Sequence, residues 1–303
     1  MNYRHIYHAG NRCDVVKHLA LTLVLAYLCV KEAGFCVLDT HAGCGRYDLE
    51  DARAAKTAEA REGILSLLKA SAMQGQEPQR SEELKDYLDV LQRLNPGWNP
   101  ADPEATGFRL YPGSPCLTAS LLRPQDRLVA CELHEEDAAE LKRNMRGFPQ
   151  AQIHARDGYQ ALRAFLPPPE KRGMVLIDPP YEDAEELEKL PGILAEAWKR
   201  WPQGIYMLWY PVKERPAIWR FHEALRGHGL ASSFDEAGKS QGESKLLCAE
   251  FVYHEEIRSD RLNGSGLIVL NPPWQLADSL RKLFPLLHKA LGTDHAGGSV
   301  SFL

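Results

Sequence analysis

The chain carries seven cysteines but no C-x-x-C pair. They are scattered at Cys13, Cys29, Cys36, Cys44, Cys116, Cys131 and Cys248. An odd number at such spacing indicates neither a disulfide framework nor a zinc site, so no metal is expected. Most lie in or beside apolar stretches and read as reduced core residues. Also absent is any apolar run near the ~20 residues that cross a bilayer. The longest, Leu19 to Val30, is interrupted by Thr22 and preceded by Lys17-His18, and reads as a buried helix. The N-terminus, Met1-Asn2-Tyr3-Arg4-His5, lacks a signal-peptide layout. These absences predict a cytoplasmic protein with no membrane partner. Positive charge is not in surplus either, with 36 Lys and Arg against 41 Asp and Glu and a formal net charge of −5. That balance argues against indiscriminate coating of nucleic acid, which is mainly phosphate neutralisation. One local basic surface remains compatible with it.

What is present is an ordinary globular composition, 44% hydrophobic and 25% charged over 303 residues. This size suits one α/β domain with an insertion. Helical apolar spacing covers 14–31. Short buried strands are predicted at 35–38 and 173–177 and further strands at 127–131, 151–154 and 204–209, with helices at 134–146, 158–166, 183–200 and 213–227 between them. Two last strands, near 246–253 and 265–270, have only a loop between them and would pair antiparallel. Strand–helix alternation implies a doubly wound, mostly parallel sheet. The closing hairpin fits a seven-stranded, Rossmann-like class I methyltransferase sheet better than the six-stranded dehydrogenase form. No strand signal occurs between Asp48 and Arg109, where amphipathic stretches at 53–70 and 81–94 predict a helical insertion spanning 50–107 of a single domain. The polar, Gly/Ser-rich segment 231–244 reads as a loop.

The chemistry concentrates at strand ends. Asp39-Thr40-His41-Ala42-Gly43-Cys44-Gly45 follows the first strand with the spacing D-x-x-x-G-x-G. Its glycines let the backbone turn sharply and approach a ligand, as in the loop that wraps S-adenosylmethionine (SAM). A dinucleotide fingerprint needs a third glycine, and Asp48 stands there instead. Glu132 ends the second strand, where an acid can accept ribose hydroxyl protons. Asp157-Gly158 ends the third, where a carboxylate can accept adenine amino protons. Singly, these residues read equally as a structural turn, a helix-start acid and a helix N-cap. Asp178-Pro179-Pro180-Tyr181 ends the fourth strand, Gly173-Met174-Val175-Leu176-Ile177. A carboxylate, two rigid prolines and an aromatic ring can hold a planar amino-bearing ring while its nitrogen is alkylated. Pro-Pro also terminates strands anywhere. Four acids in succession at the ligand-binding edge of such a sheet favour the methyltransferase reading.

A similar run, Asn271-Pro272-Pro273-Trp274, ends a strand predicted to be antiparallel. Its end would lie at the opposite edge of the sheet, as a structural turn without chemistry. The N-terminal Tyr3-Arg4-His5…His8 and the later Lys17-His18 are dense in basic and aromatic groups. They could bind a cofactor carboxylate and line an RNA approach. A polar tail before a helix start is the alternative.

Taken together, several runs closely resemble the RlmJ family across nearly the whole chain: Tyr3-Arg4-His5, Asp39-Thr40-His41-Ala42-Gly43, Tyr111-Pro112-Gly113-Ser114-Pro115, Ile177-Asp178-Pro179-Pro180-Tyr181 and Leu208-Trp209-Tyr210-Pro211-Val212. The resemblance implies a SAM-dependent methyltransferase that modifies N6 of one adenine in 23S ribosomal RNA. It implies a Rossmann-like fold with a helical insertion after the first strand. Cofactor contacts would fall on His18, His41, Ser114, Glu132, Asp157 and Gly158, beside Lys17, Asp39 and Gly43. Asp178 would be the catalytic acid, aided by Pro179 and Tyr181, with Tyr3, Arg4 and His5 near the target base. Ser114 comes from the resemblance alone, since its loop otherwise reads as a turn before a helix. Cys44 stands where the family often has alanine, a small steric change. The nearest rivals are DNA adenine-N6 and protein glutamine methyltransferases, because the D/N-P-P-Y motif serves several planar amino groups. No separate basic recognition domain is visible, which favours RNA. A monomer is expected.

Overall fold

The structure, a computed structural model, describes residues 4–73, 81–183, 185–230, 245–254, 256–291 and 297–303. The loop expected at 231–244 and the expected site residue Tyr3 lie outside the described residues. In chain order the elements are α1 (Arg12–Cys29), β1 (Cys36–Asp39), β2 (Arg46–Asp48), α2 (Ala52–Thr57), α3 (Ile64–Met73), α4 (Glu82–Leu94), β3 (Leu110–Pro112), α5 (Ser114–Leu121), β4 (Arg127–Glu132), α6 (Glu135–Asn144), β5 (Ala151–Ala155), α7 (Gly158–Phe165), β6 (Gly173–Ile177), α8 (Glu186–Arg200), β7 (Ile205–Val212), α9 (Arg215–Gly227), β8 (Leu246–Val252), β9 (Gly264–Leu270), α10 (Leu276–Ala290) and β10 (Gly297–Phe302).

The large sheet has the order β10-β8-β9-β7-β6-β1-β4-β5. Strands β5, β4, β1, β6 and β7 are parallel. Strand β9 runs antiparallel between β7 and β8. Central strands β1, β6, β8 and β9 are buried along their whole length, which is why apolar residues dominate them without alternation, with Glu250 in β8 and Ser265 in β9 as buried polar exceptions. One apolar cluster, with Leu19, Leu25, Tyr87 and Leu283, packs on one face of the sheet. A second, with Leu162, Leu194, Phe221 and Leu225, packs on the other.

The expected class I arrangement is present, with one strand more than the seven expected. The eighth is β10, which pairs antiparallel with β8 at the edge. Its residues Gly297-Gly298-Ser299-Val300-Ser301-Phe302 have little strand propensity, and pairing with a preformed neighbour supplies what composition does not. Helix α10 is a second addition to the expected elements, since Pro285 argues against an uninterrupted helix there. Its buried stripe of Leu276, Leu280, Leu283 and Leu287 packs it down regardless. Between β2 and β3, which pair with each other, lie α2, α3 and α4. The stretch at 53–70, expected as one amphipathic unit, is broken into α2, a short 3₁₀ turn and the start of α3.

The Asn271 run behaves as its strand direction dictates. Tyr206, at the start of β7, pairs with Leu270, at the end of β9. Asn271 donates from its amide nitrogen to the carbonyls of Pro202 and Gly204, both at 2.8 Å, which places it at the opposite end of the sheet from Asp178.

Candidate active site

Chain connectivity reverses at β1. The chain steps outward through β4 and β5, then returns to β6 on the other side of β1. Such a switch point opens a crevice outside the carboxyl ends of the strands. Here it holds a cavity of about 520 Å³. Of the residues expected at the site, His5, Lys17, His18, His41, Gly43, Ser114, Glu132, Asp157, Gly158, Asp178, Pro179 and Tyr181 line it. Two described ones do not. Asp39 is fully buried behind the wall, and Arg4 is turned toward α6, where it pairs with Glu136 at 2.8 Å and Asp137 at 2.6 Å.

On the β1–β4 side, the loop after β1 turns at Gly43, whose φ of +58° favours glycine. The Gly43 N–H donates to Glu132 Oε2 at 2.8 Å, and the His134 N–H donates to Oε1 at 2.8 Å. Burial pushes the Glu132 carboxyl up, while these two donors pull the other way. Asp157 caps α7 by accepting from the Gln160 N–H at 2.8 Å. A Cβ on Gly158 would lie 2.2 Å from the Thr40 carbonyl oxygen, so only glycine lets α7 begin against the β1 loop. Ser114, at the start of α5, donates to Asp39 Oδ2 at 2.6 Å. The other oxygen, Asp39 Oδ1, is buried without a hydrogen-bond partner among the described residues. Burial, reinforced by the charge of Asp178, pushes the Asp39 carboxyl up to about 7 against the Ser114 hydrogen bond. His41 is pushed down to about 4 and His18 to about 3, both chiefly by burial, so both rings are neutral at pH 7. His18 Nδ1 is 2.8 Å from the Tyr111 hydroxyl, which lies 3.1 Å from that of Tyr87.

On the β6 side, Asp178 meets an ion that its own strand does not supply. The Lys17 ammonium lies 2.5 Å from Asp178 Oδ2 and 2.8 Å from Asp14 Oδ1. Burial opposes the Lys17 charge, but the two carboxylates outweigh it and hold the amine above its ordinary pKa. Lys17 therefore stays protonated, and its charge is compensated by carboxylates inside the wall. Asp14 is anchored in turn by His5 Nε2 at 2.9 Å and by the Gly10 N–H at 3.0 Å. Asp178 still lines the cavity, and Lys17 engages only its Oδ2.

Tyr181 has a φ of +53°, a left-handed conformation that costs a non-glycine residue roughly 1–2 kcal/mol. It is held by its hydroxyl, which donates to the Trp209 carbonyl at 2.5 Å, and by an edge contact with the Trp209 ring at 5.6 Å. Residues bent this way cluster where the bend serves a ligand. Sequence reasoning assigns no site role to Asp14, Tyr159, Trp209, Lys213 or Arg261, which are also among the lining residues. Trp209 lies in the Leu208–Val212 run, but nothing local marks it as facing Tyr181.

The sheet order, the glycine loop and the four strand-end acids define a class I SAM-dependent methyltransferase. A family model described as "Ribosomal RNA large subunit methyltransferase D, RlmJ" matches residues 32–303. The chain is 36% identical to Ribosomal RNA large subunit methyltransferase J of Escherichia coli, over 98% of this chain and 97% of that protein. It is 35% identical to the protein of the same name from Haemophilus influenzae, over 98% and 96%. A crystal structure of protein LPL1258 from Legionella pneumophila is similar with a TM-score of 0.81 at 29% identity, covering 97% of this chain and 98% of that one. The chain belongs to the RlmJ family of ribosomal RNA large subunit methyltransferases, and its methyl donor is SAM. The cavity fits that cofactor. Glu132 and Asp157 line it, each carboxylate oxygen accepting at most one backbone N–H and so keeping acceptor capacity for hydroxyl and amino donors, and Gly43 brings backbone to the same wall, as a polar, partly cationic nucleoside requires.

Proposed function

We propose that this protein methylates the N6 amino group of one adenine in 23S ribosomal RNA. The single observation that carries this reading is the placement of Asp178-Pro179-Pro180-Tyr181 in the same cavity as Gly43, Glu132 and Asp157. SAM, when bound, supplies an electrophilic methyl group. Glu132, Asp157, Gly158, His18, His41, Ser114 and Gly43 form the half of the cavity that holds it, with Asp39 behind.

The target base must leave its stack to reach this depth. Tyr181, fixed by Trp209, offers its ring to the face of the base. With Asp178 Oδ2 committed to Lys17, Oδ1 accepts a hydrogen bond from the amino group, and the Pro179 carbonyl accepts a second. Both draw the amino protons into the acceptors and restore lone-pair character to N6, which is otherwise delocalised into the ring. Lys17 keeps the carboxylate in one rotamer, so the gain is mainly positioning. Asp178 then holds the proton that N6 sheds, a contribution of ~10²–10⁴-fold. His5 supports this through Asp14, and Arg4 ties the N-terminal segment to α6. Tyr3 would stand near the base.

We further read the chain as a single domain with residues 50–107 as its helical insertion, acting as a monomer in the cytoplasm. The described helices include none long and apolar enough to cross a membrane. The test is transfer of labelled methyl from SAM to 23S rRNA lacking the modification, followed by nucleoside analysis. N6-methyladenosine is the expected product. Any other methylated nucleoside, or transfer only to DNA or to glutamine, overturns the reading.

A further inference from the structure

We propose that Lys213 and Arg261, set side by side by the buried Asn263, form a phosphate clamp for the RNA backbone at the mouth of the cavity. This rests on the RNA reading above and adds where the strand is held.

Among the described residues, three lysine and arginine side chains line the cavity: Lys17, Lys213 and Arg261. Lys17 is committed to Asp14 and Asp178. Of the arginines in the N-terminal segment, Arg4 is neutralised by Glu136 and Asp137, and Arg12 faces Glu62 at 3.3 Å. Lys213 and Arg261 differ. Lys213 is exposed, and its side chain has no hydrogen-bond or ion-pair partner among the described residues. Arg261 bonds only neutral oxygens, with Nε 3.1 Å from Asn263 Oδ1 and Nη2 2.9 Å from the Glu256 carbonyl. The nearby Asp260 carboxylate is taken by Arg258 at 2.6 Å. So among the described residues the lysine and arginine charge on the cavity wall that meets no carboxylate lies at the β7–β9 end of the lining, on the Asp178 and Tyr181 side.

Topology puts these two residues together although they are far apart in sequence. Strand β9 is antiparallel to β7, so Gly264 pairs with Val212 and the loop before β9 arrives at the carboxyl end of β6 and β7. Asn263 has no exposed surface. Its amide nitrogen reaches the carbonyls of Lys213 at 3.1 Å, Arg258 at 2.7 Å and Arg261 at 3.1 Å. Its Oδ1 accepts from the Arg258 N–H at 3.1 Å as well as from Arg261. The Asn263 N–H donates to the Val212 carbonyl at 2.8 Å. One buried side chain thus fixes the backbone of both loops, so the loops themselves lose little further freedom when a ligand binds.

An adenine that enters beside Asp178 leaves its own phosphates at the rim. For a chain with net charge −5, holding them requires local cations with no internal partner. Trp209 and Pro211 continue the same wall and offer apolar surface to a base or sugar.

The experiment uses the full-length protein and an unmodified 23S rRNA transcript. Methyl-transfer kinetics and filter binding of the same RNA are followed across a salt series for wild type, Lys213→Gln, Arg261→Gln and the double variant. Each single change is expected to raise KM for RNA roughly 3–10-fold, as loss of one phosphate contact does, with KM for SAM unaltered. The double variant flattens the slope of log affinity against log salt by about 1.4, from two contacts at ~0.7 each on a single strand. Lys31→Gln, at the other end of the sheet, leaves the slope alone. Asn263→Ser, checked for folding by SAM binding, flattens it as the double variant does, and an unaltered slope would remove Asn263 from its positioning role. The clamp is overturned if the double variant keeps the wild-type slope, or if its defect appears in KM for SAM. Filter binding keeps this outcome separate from the methylation reading, which fails on its own if wild type binds the RNA but does not methylate it.

Discussion

Asp39 should make the stability of this protein depend on pH in an unusual direction. Its carboxyl is fully buried, with one oxygen bonded to Ser114 and the other without a hydrogen-bond partner among the described residues. Burial moves it from 3.8 in the unfolded chain to about 7 in the fold. Because the folded value is the higher one, the native state binds the proton more tightly than the unfolded state. The stabilisation is fully present below about pH 4 and is lost as pH rises through about 7. A tenfold difference in proton affinity is worth ~1.4 kcal/mol, so the contribution falls by about 3 kcal/mol between pH 5 and pH 8. An asparagine at this position cannot titrate, yet has nearly the same volume as the aspartate and can still accept from Ser114. Urea denaturation of wild type and Asp39→Asn across that range isolates the contribution, since every other titrating group is shared. The difference in unfolding free energy should shift toward the Asp39→Asn variant as pH rises. A constant difference, or one that grows in favour of wild type, would show that Asp39 is charged in the fold and that the burial argument is wrong.

Four further outcomes are expected. Asp178→Ala should cut turnover by at least ~10²–10⁴-fold while calorimetry finds SAM affinity little changed, and loss of both together would make Asp178 a cofactor residue. Gly158→Ala forces a methyl to within 2.2 Å of the Thr40 carbonyl, an overpacking cost of ~1–3 kcal/mol that should appear as roughly tenfold weaker SAM binding; unaltered affinity would mean that α7 shifts freely. Glu132→Gln sets an amide NH₂ against one of the two backbone donors at Gly43 and His134, at ~1–3 kcal/mol, so both thermal stability and SAM affinity should fall. Trp274→Ala removes an exposed side chain at the far end of the sheet, and kcat/KM for RNA should not move; a drop would place that end in contact with substrate.

Local signals carry the site where strand and chemistry coincide. Gly173–Ile177 is legible because a fully buried parallel strand is an unbroken apolar run, and Asp178 follows it directly. Glu132 is legible for the same reason at the end of β4, whereas Asp157 follows the half-exposed edge strand β5 and is marked by its Asp-Gly turn into α7. The short pair β2 and β3 is not, because three-residue strands have no period and their partners lie on either side of the inserted helices. The N-terminal segment points Lys17 toward the cofactor, whereas the structure sets its ammonium on Asp178, 161 residues away.

The succession of strands and helices, the glycine turn and the reactive tetrapeptide follow from periodicity and turn chemistry, which act over a few residues and can be read from them. Charge compensation cannot be read that way. Whether Asp39 is neutral, whether Lys17 is already paired and whether Lys213 and Arg261 stand together depends on which groups approach through space in a medium that screens them poorly. Those are properties of the packed sheet and its loops, and only the tertiary structure decides them.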